Sequence, residues 1–177
     1  MATSAELSLL GFGSNSGFKE LRRGLIGSVT VPKAAPAISA TWGQTCLGFL
    51  GALHQHSSKA SATYYYKNHL QYFQSLSASV SEIGRVLRPR GMCVLVVQDS
   101  YYKDLHNNLP VILTEMGAAS ELELEQRNDF PLSRTMAGIN PGARDYRASF
   151  NATESVLTFR RSDPSGAQQV DYISDAV

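Results

Sequence analysis

The fold is decided by residues 64–100, which read YYYKNHLQYFQSLSASVSEIGRVLRPRGMCVLVVQDS. Apolar side chains recur three or four residues apart over the first part, and this spacing predicts a helix with one apolar stripe. Pro89 and Gly91 predict the end of that helix, because proline cannot continue it and glycine permits the turn. The stripe consists of Tyr66, Leu70, Phe73, Leu76, Val80, Ile83 and Leu87.

The segment after the turn, residues 92–97, is apolar at every position. Such a run predicts a strand that is covered on both faces, as in a parallel sheet under helices. The chain then becomes polar at Gln98, Asp99 and Ser100. Because α/β proteins bind ligands where such strands end, these three residues are candidate binding residues.

The composition predicts one ordinary globular domain. The chain has 177 residues, of which 43% are hydrophobic and 18% are charged, which is enough for a real core. Its formal net charge of +1 neither implies nor excludes a polyanionic partner. No apolar run is long enough to cross a bilayer, and residues 1–6 have no basic lead-in to a signal peptide. Together with Cys46 and Cys93, read as buried free thiols, this indicates a reducing, cytoplasmic setting.

Two features of the first 62 residues suggest ligand sites, and a plainer interpretation is favoured for each. The glycines of residues 11–17 suggest a nucleotide loop, but the preceding strand is weak and no acid occurs in residues 29–40, so a turn is favoured. His54 and His56 are close to a metal-ligand spacing. No third ligand stands nearby, which favours a solvent-facing end of a short buried helix over residues 42–53.

The second half of the chain predicts a helix, two strands and a tail. Pro110 fits the first turn of a helix. Leu122 and Leu124 alternate with glutamates, the period of a strand with one face in water, which belongs at or near a sheet edge. A final strand is expected at residues 154–161, and residues 162–177 form a polar tail.

Residues 130–153 form a long irregular connection that carries arginines and asparagines. Loops of this length in a compact domain are usually functional or disordered. Arginine and asparagine side chains contact phosphates and bases, although a surface loop held by arginine hydrogen bonds has the same composition. The candidate residues for such contacts are Arg134, Asn140, Arg144 and Arg147.

The segment SEIGRVLRPRG (residues 81–91) resembles the E-x-x-R-V-L-x-P-G-G turn that precedes the fifth strand of class I methyltransferases. It departs from that pattern at Arg90, where glycine is usual. Four further segments are similar to the bacterial DNA methyltransferases that modify exocyclic amino groups, the cytosine-N4 and adenine-N6 type. They are ELRRGLIGSVTV (20–31), YYYKNHLQYF (64–73), VVQDSYYKD (96–104) and RTMAGINPGARDYRASFNATESVLTFRR (134–161).

This resemblance implies an α/β fold: a partial Rossmann-like class I methyltransferase sheet flanked by helices, with a C-terminal antiparallel strand pair. Residues 1–161 would be the C-terminal part of the domain, with residues 1–62 as a helical or irregular lead-in and 63–161 as the α/β core. The implied cofactor is S-adenosyl-L-methionine and the implied partner is DNA.

The resemblance also implies roles for the candidate residues. Gln98, Asp99 and Ser100 would line the side of the target base, and the residues of the 130–153 connection would approach DNA phosphates. For Asp99, a cap on the following turn is the alternative.

Two motifs of the family are missing from the chain. The family carries its chemistry on a Ser/Asp-Pro-Pro-Tyr loop that holds the flipped base, and no Pro-Pro pair occurs in the sequence. The glycine-rich cofactor motif is also absent unless residues 11–17 serve. We therefore assign no catalytic residue and expect a fragment, a misassigned start or one piece of a split enzyme, inactive alone.

Two other functions are compatible with these residues. One is a non-catalytic nucleic-acid-binding or partner-docking module on a degenerate methyltransferase fold, and the other is a small-molecule methyltransferase. Few strand candidates remain to flank residues 92–97, so we also expect an exposed apolar edge. Self-association, or a partner that supplies the missing half, would cover it.

Overall fold

The computed structural model describes residues 17, 25–27, 31, 34–132 and 152–163. They combine helices with antiparallel sheets, and the chain divides into two compact units, residues 1–79 and 80–177. Among the described residues, no helix combines the length and the apolar character that a membrane span requires.

The first unit contains a short helix whose inner face is apolar. A 3-10 turn at Ala40–Trp42 leads into helix α1, Gln44–Gln55. The Ser39 side chain caps the turn by accepting a hydrogen bond from the Thr41 N–H (3.3 Å). The prediction of a short buried helix over residues 42–53 is confirmed, since its inward side chains are Trp42, Cys46, Phe49, Leu50 and Leu53.

Helix α2, Tyr66–Val86, is the long helix predicted from the apolar stripe. A π-helical turn, Ser61–Tyr65, precedes it. Leu70, Phe73 and Val80 are each at most 2% exposed, which confirms which face of the helix is buried. The Phe73 ring packs edge-on against that of Phe49, with the ring centroids 6.1 Å apart. The helix ends before Pro89, as predicted.

The second unit is built on a three-stranded antiparallel sheet. Strands β1 (Met92–Gln98) and β4 (Leu122–Leu132) both pair with β5 (Ala152–Arg161), which lies between them. Both pairings are antiparallel. A separate hairpin consists of β2 (Ser100–Tyr102) and β3 (Leu105–Asn107). The predicted C-terminal antiparallel strand pair is therefore present as β4 and β5, and β4 lies at a sheet edge as predicted.

Helix α3, Leu109–Ala118, packs on one face of this sheet. Asn108 caps it by accepting a hydrogen bond from the Val111 N–H (3.5 Å), and Pro110 lies in its first turn as predicted. We call the sheet face under α3 the covered face and the opposite one the open face. The buried side chains of α3 and the covered face include Ile112, Leu113, Met116, Leu122, Leu157 and Phe159.

The prediction that residues 92–97 form a central strand covered on both faces is wrong. Among the described residues, β1 pairs with β5 alone and forms an edge of the sheet. On the open face, Met92, Val94 and Val96 are 54%, 55% and 60% exposed. An apolar run at both parities cannot distinguish two covered faces from one covered face and one bare apolar face. The expected exposed apolar edge is present, and Cys93 is only partly buried.

The turn from α2 into β1 takes the backbone shape that glycine favours. Arg90, which stands where the resembled turn has glycine, has φ of 60°, in the left-handed region. The end of β5 holds the turn in place. Arg90 N–H donates to the Arg161 carbonyl (3.1 Å), and Arg161 N–H donates to the Gly91 carbonyl (2.8 Å). A non-glycine residue in this conformation costs about 1 kcal/mol of backbone strain.

Candidate functional site

The candidate site lies where β1 ends and the β2–β3 hairpin begins. Asp99, 9% exposed, is fixed there by two bonds to Thr153 of β5. Its backbone N–H donates to the Thr153 carbonyl (3.0 Å), and the Thr153 N–H donates to Asp99 Oδ1 (2.8 Å). The carboxylate thus bonds to a strand 54 residues away in the chain. The alternative of a cap on the following turn does not describe these bonds.

The other carboxylate oxygen of Asp99 holds a histidine. His106 Nε2 lies 2.9 Å from Asp99 Oδ2, and the side chain of His106 is 41% exposed. Because a carboxylate is an acceptor, Nε2 carries the proton in this bond. The Tyr101 ring stacks on the imidazole with centroids 4.7 Å apart and planes 27° from parallel. The pair therefore presents oriented, partly exposed planar groups beside the end of β1.

Ser100 and Asn107 join the two strands of the hairpin. Asn107 Nδ2 donates to Ser100 Oγ (3.0 Å), and Asn107 is 3% exposed. Its side-chain oxygen is buried and has no hydrogen-bond partner within the described part of the chain. A buried acceptor left without a donor costs stability, so this oxygen is a place where a water or a ligand N–H would be stabilising.

The sequence-predicted residues therefore differ in what they can do. Gln98 and Ser100 are exposed, whereas Asp99 is buried and engaged in structural bonds. The other four candidates, Arg134, Asn140, Arg144 and Arg147, lie outside the described residues, so their approach to DNA stays a prediction.

Sequence reasoning missed the hairpin itself and, with it, the stack of Tyr101 on His106. A usable signal was present, since Lys103 and Asp104 form a two-residue connection between short segments that contain Tyr and Leu. Lys103 takes a positive φ of 55° in this turn. Because each strand of the hairpin has only three residues, no alternation was visible.

No cluster of metal ligands forms among the described residues, and the Cys93 thiol is partly desolvated. Within the described ranges, no three His, Cys, Asp or Glu residues come together in a way that could hold a metal ion. Of the two histidines near a metal-ligand spacing, the His54 ring packs against Tyr66 and His56 bonds to Ser58. Burial raises the pKa of the Cys93 thiol, which keeps it protonated and a poor nucleophile.

Comparison with protein-family models, with curated proteins and with solved structures finds no match for this chain.

Proposed function

We propose that this chain is the C-terminal portion of a DNA methyltransferase that transfers a methyl group from S-adenosyl-L-methionine to an exocyclic amino group of a base. The observation that carries the proposal is the unit made of residues 81–100. In it, a turn resembling E-x-x-R-V-L-x-P-G-G leads from a long helix into a strand that ends in Gln98-Asp99-Ser100. The glycine-like φ of Arg90 supports the resemblance at the position where the sequence departs from it.

The sheet also supports this proposal. Its last strand lies between two others and runs antiparallel to both. On this proposal the three strands belong to a larger Rossmann-like sheet, whose remaining strands would join at the outer edge of β1. A cytoplasmic setting belongs to the same proposal.

The Tyr101–His106 stack would form part of the wall on the target-base side. Enzymes that act on a base take it out of the duplex and hold it by stacking and by hydrogen bonds. An aromatic ring that Asp99 helps to fix through His106 is a surface on which a base stacks. Little acid–base power is needed, because methyl transfer from a sulfonium depends on positioning the donor and the base.

The one glycine-rich segment, residues 11–17, is described only at Gly17. The proposal therefore assigns no cofactor contact to this chain. Since the sequence also lacks a Pro-Pro-Tyr loop, we expect the purified chain to transfer no methyl group to DNA.

The alternative is a non-catalytic nucleic-acid-binding or partner-docking module on the same scaffold. One observation favours it, namely the apolar part of the open face, where Met92, Val94 and Val96 of β1 are more than half exposed. A protein that acts by docking needs such a surface, whereas a complete enzyme domain would cover it.

The experiment measures DNA binding by the 177-residue chain with fluorescent duplexes, one fully paired and one with a single unpaired base. We expect binding that weakens with salt, because arginines release counterions from phosphates. Arg144→Ala with Arg147→Ala should weaken binding to both duplexes and reduce the salt dependence by about one unit of slope per lost phosphate contact. Lys59→Ala, at an exposed turn, is the matched control that should leave binding unchanged.

The unpaired base tests the stacking role. Tyr101→Ala should cost about 1–3 kcal/mol of binding to the duplex with the unpaired base and little for the paired one, while Tyr101→Phe should keep both. Equal binding by all variants would contradict the proposed interface. Methyl transfer by the chain alone would contradict the expected inactivity. Salt-dependent binding that Tyr101→Ala leaves unchanged on both duplexes would favour the non-catalytic module.

A further inference from the structure

The small net charge of the chain conceals opposite charges on its two units. The first unit, residues 1–79, has six lysines and arginines and two glutamates, whereas the second, residues 80–177, has ten basic and thirteen acidic residues. From residue 21 to residue 81 the sequence contains neither Asp nor Glu. A charge asymmetry of this kind points to a polyanionic partner for the basic part.

The described part of the first unit exposes two adjacent tyrosines. Tyr64 and Tyr65 end the π-helical turn Ser61–Tyr65, and they are 44% and 39% exposed. Their rings meet edge to face, with the centroids 5.1 Å apart. Lys67 follows Tyr64 by three residues and therefore lies on the same side of the helical segment. This part of the surface thus combines aromatic rings with a cation.

Contacts with the interior of the unit hold the two tyrosines in place. His69 Nδ1 donates to the Tyr65 carbonyl (2.8 Å), and the His69 ring lies 5.3 Å from that of Phe49 in α1. Burial lowers the pKa of His69, so its ring is neutral at about pH 7. The next residue, Tyr66, packs edge-on against His54, with the ring centroids 4.8 Å apart. Because the segment is already ordered, little conformational entropy is lost when a ligand binds to it.

We propose that Tyr64, Tyr65 and Lys67 form a surface for single-stranded nucleic acid, with bases stacked on the tyrosine rings and phosphates beside the lysine. Proteins that bind single strands combine a basic surface with aromatic side chains on which bases stack. No carboxylate within residues 34–79 would repel a phosphate. A paired duplex keeps its bases stacked within itself, so it gains nothing from the tyrosines.

The same charge would attract an anionic membrane, but the aromatic pair favours nucleic acid. Membrane-surface helices bury a continuous apolar face that carries Trp, Phe and Leu. Here the exposed rings carry hydroxyl groups, and the residues beside them, Ala62 and Thr63, are small. The inference does not depend on the proposed function, which uses Tyr101 and the arginines of residues 130–153.

The test measures the binding of fluorescent oligonucleotides of about 12 nucleotides to the full chain, as single strands and as duplexes. DNA and RNA strands of one sequence distinguish the two sources of this chemistry. We expect single-strand binding that weakens with salt. Tyr64→Ala with Tyr65→Ala should weaken it by about 5-fold to 150-fold for each stacked base and leave duplex binding unchanged, whereas Tyr64→Phe with Tyr65→Phe should keep both.

The lysine is tested through the salt dependence. Lys67→Ala should reduce the slope of log K against log salt for a single strand by about 0.7, the value for one phosphate contact. Arg88→Ala is the matched control, because it removes an exposed cation of the second unit, and it should leave single-strand binding unchanged. Circular dichroism should show the same fold in every variant, since the two tyrosine side chains are partly in water.

Crosslinking locates the bound strand. A single strand that contains 5-iodouracil should, on irradiation, crosslink to Tyr64 or Tyr65, as mapped by mass spectrometry. Crosslinks at Tyr101 alone would assign the binding to the end of β1 and overturn this proposal while leaving the proposed function intact. Single-strand binding that is absent, or that is unchanged in Tyr64→Ala with Tyr65→Ala, would also overturn it. So would binding to phosphatidylserine vesicles but to no oligonucleotide.

Discussion

The two faces of the three-stranded sheet contrast sharply although both carry apolar side chains. On the covered face, Leu157 and Phe159 are at most 1% exposed beneath α3, while on the open face Val96 is 60% exposed. The central strand, β5, shows this difference by alternating buried and half-buried residues, and β1 shows it by alternating exposed and half-buried ones. The apolar residues of the covered face belong to the core of the unit. Met92, Val94 and Val96 of the open face, each more than half exposed, contribute little to that core.

The largest expected effect compares one residue from each face. Leu157→Ala should lower the free energy of unfolding by about 2–5 kcal/mol, because it removes buried contacts and leaves a cavity. Val96→Ala should change it by less than about 0.5 kcal/mol in the monomer, since that side chain is mostly in water. Urea denaturation of both variants at low protein concentration measures the difference. Equal losses would show that the open face is covered in solution.

A smaller effect tests how closely the end of α2 packs against the turn that follows α3. Gly84, near the end of α2, has no room for a side chain, because a Cβ there would overlap the backbone carbonyl oxygen of Ser120. Gly84→Ala should therefore cost about 1–3 kcal/mol through forced backbone movement. Gly51→Ala in α1 is the control, since a Cβ there meets nothing within 4 Å, and it should stabilise by up to about 1 kcal/mol. Melting temperatures that shift in opposite directions in the two variants would confirm the close packing. An unchanged melting temperature in Gly84→Ala would contradict it.

The smallest effect concerns Asp129 of β4, which lies beside Ser155 of β5. Its pKa is lowered by hydrogen bonds from Arg127 (2.8 Å) and Ser155 (2.6 Å). A lowered carboxyl pKa contributes stability that is present at neutral pH and is lost as the pH falls below the ordinary carboxyl range. Because the side chain is 44% exposed, its contribution to the free energy of unfolding should be only about 0.2–0.5 kcal/mol.

Asp129→Asn should therefore lower stability slightly near neutral pH and have no effect once the carboxylate is protonated in acid. Urea denaturation at about pH 7 and about pH 2 measures this change. Glu82→Gln, which removes an exposed carboxylate on α2, is the control. A loss of the same size at both pH values would contradict the electrostatic explanation.

Local elements could be predicted from the sequence, and their partners could not. The spacing of Leu70, Phe73 and Val80 predicted α2 and its buried face, and Pro110 marked the first turn of α3. The predicted position of β1 within the sheet was wrong, because its neighbour, β5, comes some sixty residues later in the chain and runs antiparallel. Nothing within residues 92–97 contains that information.

For the candidate site too, the location could be predicted from the sequence and the contacts could not. The polar end of β1 predicted where to look, and Gln98 and Ser100 are exposed there. The bonds from Asp99 to His106 and Thr153 depend on a hairpin and a strand brought together by the fold. Residue type alone could not distinguish a buried structural carboxylate from one that faces a ligand.

Arg161 links the last strand to the end of α2. Its guanidinium donates to the carbonyls of Arg85 (3.3 Å) and Leu87, where a helix end otherwise lacks donors. Its positive charge also suits a helix C-terminus. The end of α2 therefore depends on a residue that lies 74 positions later than Leu87 in the chain. We expect its last turn to become stable only after β5 has joined the sheet. In Arg161→Ala, amide exchange should accelerate in the last turn of α2 and not in its middle; uniform exchange would show that the helix end forms without this residue.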